Sequence, residues 1–105
     1  MNQNKIQEMQ ILEQSLQNLL LQKQSFQMEL SETQNALNEI EKSPEVYKII
    51  GQMMMKTEKP KMKEELTDKE KLLNLRVSTI EKQEDSLSEK LEKLREEVFN
   101  SANAK

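Results

Sequence analysis

The acidic pairs Glu64-Glu65 and Glu96-Glu97 and the lysines Lys56, Lys59, Lys61 and Lys63 are residues of this chain whose types could do chemistry. Two neighbouring carboxylates divide into general acid and general base only when a dry pocket pushes their pKa values apart. Both pairs lie in long polar stretches of helical composition, where solvated charge is the default. The lysines could attract phosphate, but Glu58, Glu64 and Glu65 dilute them and the formal net charge is −3, so no nucleic-acid partner is expected. With no histidine and no cysteine, neither a Ser-His nor a Cys-His pair can form, and zinc lacks its usual ligands. A single glycine leaves no glycine-rich phosphate loop. The expectation is therefore a protein that is not an enzyme, with no catalytic residue, no metal site and no cofactor.

The elements that carry these residues follow from spacing. Met9, Leu12, Leu16, Leu19, Lys23, Phe26, Leu30, Thr33, Leu37 and Ile40 recur at alternating steps of three and four, and eight of the ten are apolar. A sustained period of 3.5 makes a narrow apolar stripe on a helix, suited to a supercoiled partner. Ser43-Pro44 stops this helix, because a proline disfavours helical geometry at the residue before it. With Asn2 or Asn4 as the cap, the spacing predicts a helix over 4–42, about 58 Å long. The pattern returns after Pro60 with Leu66, Glu70, Leu73, Val77, Ile80, Glu84, Leu87, Leu91, Leu94 and Val98, predicting a second helix over 60–99. Two stripes of equal length separated by a short segment fold back as an antiparallel coiled-coil hairpin within one domain, 1–105. If Ile40 sits across from Leu66, Lys23 falls opposite Glu84. The two charged intrusions then form a register pair, because a slip by one heptad sets a charge against leucine.

Between the helices, Val46-Tyr47-Lys48-Ile49-Ile50 and Met53-Met54-Met55-Lys56-Thr57 flank Gly51-Gln52. Glycine at the first central position suits a two-residue type II′ turn, predicting a β-hairpin over 46–57 in which Ile50 faces Met53, Ile49 faces Met54 and Lys48 faces Met55. The alternative is a loosely helical connector, which the glycine, the bounding prolines and the β-branched residues oppose. One side of the ribbon shows Val46, Ile50, Met53 and Met55, and the other Tyr47, Ile49 and Met54. A two-stranded ribbon with two apolar faces and two open edges is marginal alone. Val46, Tyr47, Ile49, Ile50, Gly51, Met53, Met54 and Met55 are accordingly expected to form a subunit-assembly element, a sheet completed by other chains. The fold class expected is mainly α: an antiparallel two-helix coiled coil with one central β-hairpin whose sheet other chains complete.

Two equal heptad helices joined by Val46-Tyr47-Lys48-Ile49-Ile50-Gly51 and continuing through Met53-Met54-Met55-Lys56 closely resemble the β-type subunits of prefoldin, the hexameric chaperone of archaea and eukaryotes. The resemblance covers nearly the full length. A single hairpin resembles the β class, since the α class carries two, and the lack of extra domains resembles the archaeal form, in which four β-type and two α-type subunits assemble. What the resemblance implies is a double β-barrel body from which six coiled coils hang. Non-native polypeptide is held between the tips of those coils and passed, without nucleotide, to a group II chaperonin. This chain departs from the usual pattern in placing methionine at three consecutive positions where aliphatic residues are common.

In such a hairpin both chain ends lie far from the ribbon. Ile6, Ile11, Phe99 and Ala102 are off the stripe, and fraying would also loosen Met9, Leu12, Leu94 and Val98. These eight residues are the expected contacts for an unfolded substrate, each weak and together effective through multivalency. Leu20, Leu21, Met28, Leu72 and Leu75 are off the stripe too and either pack between stalks or widen it. A different function, a structural coiled-coil adaptor linking folded partners, would need only a helical turn in place of the ribbon. No stretch joins basic residues to an apolar block, and Leu19-Leu20-Leu21 is too short to cross a bilayer, so neither signal peptide nor membrane span is expected. Absence of cysteine suits a reducing compartment, and the expected location is cytoplasmic.

Overall fold

The computed structural model describes residues 2–103. Along them run α1 (Asn2–Ile40), β1 (Val46–Ile50), β2 (Met53–Thr57) and α2 (Lys59–Asn103). The chain is thus mainly helical, with one hairpin between two long helices. α1 starts at Asn2, so Asn4 is an interior helical residue and not a cap. Its end comes at Ile40, before the proline: the amide of Lys42 donates to Glu39 O at 3.0 Å, and Ser43 Oγ donates to the same carbonyl at 3.1 Å. A tightened last turn of this kind satisfies carbonyls that the helix itself leaves unpaired. At the start of α2 the amide of Met62 donates to Glu58 O at 3.0 Å. Pro60 falls among the first-turn residues whose amides have no helical acceptor, so its missing N–H removes no bond. Nothing in Phe99-Asn100-Ser101-Ala102 breaks a helix, and α2 continues through them to Asn103.

The chain packs as two compact units. The first joins α1 up to Ser25 with α2 from Val77 onward. Its ion pairs run Lys5 to Glu97 at 3.3 Å, Glu13 to Arg95 at 3.4 Å and Lys23 to Glu84 at 2.8 Å. Numbers that rise on α1 while falling on α2 make this pair antiparallel. Ile80 and Leu91 are its buried residues, and Met9, Leu12, Leu16, Leu19, Val77, Leu87, Leu94 and Val98 are half-buried around them. Each apolar side chain fully withdrawn from water stabilises by about 1.5–3 kcal/mol.

The second unit spans Phe26–Arg76 and carries the hairpin. Its helix pair is antiparallel as well, with Glu29 to Lys69 at 3.7 Å and an ion pair between Glu41 and Lys63. Ile40, Leu73 and Thr33 are buried. Thr33 is polar in an apolar seam, and its hydroxyl donates to Glu29 O one turn back at 2.8 Å, which leaves no unpaired group. The guanidinium of Arg76 lies 5.4 Å over the Phe26 ring and shields its outer face. All twenty stripe positions are buried or half-buried across the two units. Two helices alone cannot enclose a side chain completely, and among the described residues none is less than 2% exposed.

Candidate functional site

The hairpin is built by one backbone requirement and ten paired residues. Gly51 has φ 61°, and among the described residues no other residue has positive φ. A glycine-first turn with an ordinary second residue is the II′ pattern, whose twist matches the strands it joins. The register pairs Val46 with Thr57, Tyr47 with Lys56, Lys48 with Met55, Ile49 with Met54 and Ile50 with Met53. Because side chains alternate along a strand, Val46, Lys48, Ile50, Met53, Met55 and Thr57 share one face. Tyr47, Ile49, Met54 and Lys56 share the other.

The ribbon is tethered at its base and bare at its tip. Lys48 Nζ reaches Glu65 Oε2 on α2 at 2.9 Å, while Lys56 reaches Glu45 at 3.6 Å. Tyr47 donates its hydroxyl to Glu45 Oε2 at 2.7 Å, and that bond holds the neutral phenol and raises its pKa above the ordinary value. Lys59 Nζ donates to Glu41 O at 3.3 Å. The hydrogen bond from Lys63, with its positive charge, lowers the Glu41 carboxyl below the usual range. Beneath the ribbon, Ile40, Val46, Tyr47, Met62 and Leu66 line an open cleft of about 340 Å³. Val46, Lys48 and Thr57 are half-buried, whereas Tyr47, Ile49, Ile50, Met53, Met54 and Met55 are between 47% and 69% exposed. Six large side chains among the ten paired strand residues therefore face water.

Sequence reasoning missed the Lys48–Glu65 tether. A lysine in an otherwise apolar strand, on the face shared with Val46, was a usable signal. Glu65 and Glu97, one from each acidic pair, are engaged by Lys48 and Lys5. They sit at open surfaces, not in a dry pocket. No group of three acidic, histidine or cysteine side chains that could hold a metal occurs among the described residues. No helix among them is long and apolar enough to cross a membrane.

The residues expected to touch an unfolded substrate separate into two sets, all in the first unit. Ile6, Ile11, Phe99 and Ala102 are exposed, with Ile11 at 64% and Phe99 at 67%. Met9, Leu12, Leu94 and Val98 are half-buried in the helix seam. In the same unit Lys23 and Glu84 meet with side chains only 20% and 18% exposed. The hydrogen bond to Glu84 raises the Lys23 pKa against a smaller opposing effect of burial. Leu20, Leu21, Met28, Leu72 and Leu75 all face water.

Against known proteins, a family profile described as "Prefoldin subunit" matches residues 3–102. The chain is 43% identical over 89 residues to "Prefoldin subunit beta" of Thermococcus onnurineus, across 82% of this chain and 77% of that protein. It is 42% identical over 86 residues to "Prefoldin subunit beta" of Pyrobaculum islandicum, across 79% and 69%. The crystal structure of the prefoldin beta subunit from Thermococcus strain KS-1 superposes with a TM-score of 0.86 at 38% identity, covering 96% of this chain and 90% of that one.

Proposed function

This chain belongs to the prefoldin subunit family, and on that premise we propose that it joins other subunits through its ribbon and grips non-native polypeptides at the far turns of its helices. Members of the family are chaperone components and not enzymes. The observation that carries the proposal is the bare tip of the hairpin: apolar side chains on both faces, exposed beside two open strand edges. Such a surface is stable in water only when another sheet covers it.

On this reading Val46, Tyr47, Ile49, Ile50, Met53, Met54 and Met55 form the joint, with Gly51 setting its turn. The partners are an α-type prefoldin subunit and further β copies, two of the former and four of the latter, closing the strands into a barrel. The profile's span of residues 3–102 supports treating the chain as one prefoldin-like domain. Lys23 and Glu84 fix the alignment of the helices, since each is drawn from water against the other. Ile6, Ile11, Phe99 and Ala102 supply the gripping surface, and Met9, Leu12, Leu94 and Val98 add to it when the outer turns loosen. Several weak grips on one polypeptide hold it by raising effective concentration, which needs no ATP. Delivery to a group II chaperonin, in the cytoplasm, completes the role.

The test is suppression of aggregation of an unfolded model protein by the reconstituted assembly. Ile6→Ser, Ile11→Ser and Phe99→Ser together are expected to abolish protection while the mass of the complex stays unchanged. Full protection by an assembly with these substitutions rejects gripping by those residues.

A further inference from the structure

β2 carries three thioethers in sequence, and they differ in what lies opposite them. Met53 pairs with Ile50 on one face and Met54 with Ile49 on the other, whereas Met55 pairs with Lys48. Met53 is 64% exposed and Met54 68%, so both sulfurs are open to a small oxidant in the unjoined chain. The chain has no cysteine, so no thiol of its own competes for that oxidant. Met9 and Met62 are half-buried, and Met28 is exposed but lies on α1 away from the ribbon.

We propose that Met53 and Met54 are an oxidative modification site whose conversion to sulfoxide keeps the ribbon from joining other sheets. The inference rests on the assembly role proposed for the ribbon. The oxidant is a hydroperoxide. The sulfur lone pair attacks the terminal peroxide oxygen, the S–O bond forms as the O–O bond breaks, and sulfur loses two electrons. The remaining oxygen takes up the proton and leaves as water or an alcohol. The product is polar and chiral where the thioether was apolar and pliable.

The cross-strand neighbours decide the consequence. Ile50 and Ile49, directly opposite Met53 and Met54, have no side-chain donor to offer a sulfoxide oxygen, and Tyr47 and Lys56, which share the face of Met54, are turned to Glu45, so a ribbon covered by another sheet would bury that acceptor unpaired. Each buried sulfoxide is expected to weaken joining roughly tenfold or more. Met55 differs, because it lies directly opposite Lys48, whose ammonium keeps two N–H donors beyond the one it gives Glu65. Joined ribbons bury the two sulfurs, so assembled chains resist the same oxidant. The site thus confines damage to chains that are not yet part of a complex, and a methionine sulfoxide reductase returns them to the joining pool.

Hydrogen peroxide treatment of the purified chain, peptide mass spectrometry to place each sulfoxide, and light scattering after mixing with an archaeal α-type prefoldin subunit test this. Oxidation at Met53, Met54 and Met28 is expected to outpace that at Met9 and Met62, and the oxidised chain is expected to lose most of its incorporation. Reductase treatment should restore it. The volume-conserving double variant Met53→Leu/Met54→Leu should assemble equally well with and without peroxide, while Met28→Leu or Met55→Leu should remain sensitive. Full incorporation of a chain oxidised at both positions overturns the proposal, as does slow oxidation of Met53 and Met54 in the unjoined chain. Failure of the untreated chain to join points instead to the assembly reading and removes the inference with it.

Discussion

Replacing Gly51 with alanine isolates the backbone requirement at the ribbon's turn. No heavy atom lies within 4 Å of where a Cβ at this position would stand, so the substitution introduces no clash with surrounding atoms. Its penalty comes from placing an L side chain at φ +61°, which costs about 1–2 kcal/mol. Alanine also stiffens the unfolded segment, which offsets about 0.4–1 kcal/mol of that. The net destabilisation is about 1 kcal/mol, a roughly fivefold rise in the fraction of time the strands are unpaired. Hydrogen exchange of the β1–β2 amides in the unjoined chain reads this directly and should accelerate by that factor. Exchange of the α1 and α2 seam amides should not change, because the strain is confined to the turn. Gly51→Asn should fall between the two, since asparagine tolerates left-handed backbone better than alanine does. Equal exchange in Gly51→Ala and the parent chain would refute the assignment of the turn to this glycine's conformation.

The seam offers a contrast in burial: Leu91 is 5% exposed and Leu21 57%, so Leu91→Ala should cost about 2–5 kcal/mol in denaturant unfolding and Leu21→Ala less than about 0.5 kcal/mol. Lys23→Leu and Glu84→Leu, made singly and together, should show a coupling in thermal unfolding; additive effects would reject their role in alignment. Hydrogen bonding to Glu84 raises the Lys23 pKa, so its contribution is full below the unfolded lysine value and is lost as pH rises through the folded value. Alkaline titration should therefore lower the melting temperature of the parent chain more than that of Lys23→Leu. The Glu41 pKa is lowered by Lys63, so its contribution is present above the unfolded carboxyl value and is lost as pH falls through the folded value. Glu41→Gln should accordingly remove part of the acid sensitivity seen in melting curves.

The helix seam was legible because a 3.5-residue period leaves little freedom: once the apolar positions of each helix are set, most intervening residues face water. Even the polar intrusions Lys23, Thr33, Glu70 and Glu84 lie withdrawn from solvent at the positions the spacing gives them. The ribbon's register was legible from one glycine, since a two-residue turn after Ile50 fixes every pair beyond it. What spacing could not supply is how charge ties the ribbon down. Lys48 and Glu65 are 17 residues apart, in different elements, and nothing local marks them as partners. Glu45 receives both Tyr47 and Lys56 for the same kind of reason: its role depends on the strands having already paired. The end of α2 was misplaced at residue 99 because no glycine or proline marks a stop there. Periodicity did separate Met9, Leu12, Leu94 and Val98, which lie on the stripe and are half-covered, from Ile6, Ile11 and Phe99, which lie off it and are open.

The central claim is that the exposed ribbon is a joint, and the mass of the complex formed with an archaeal α-type prefoldin subunit tests it most directly. The parent chain should give a species of four copies of this chain and two of its partner by light scattering. Ile49→Lys/Met54→Lys, which charges one ribbon face without touching the helix seam, should give only unjoined chains with unchanged helix content. A complex of the same mass from both proteins would contradict the claim.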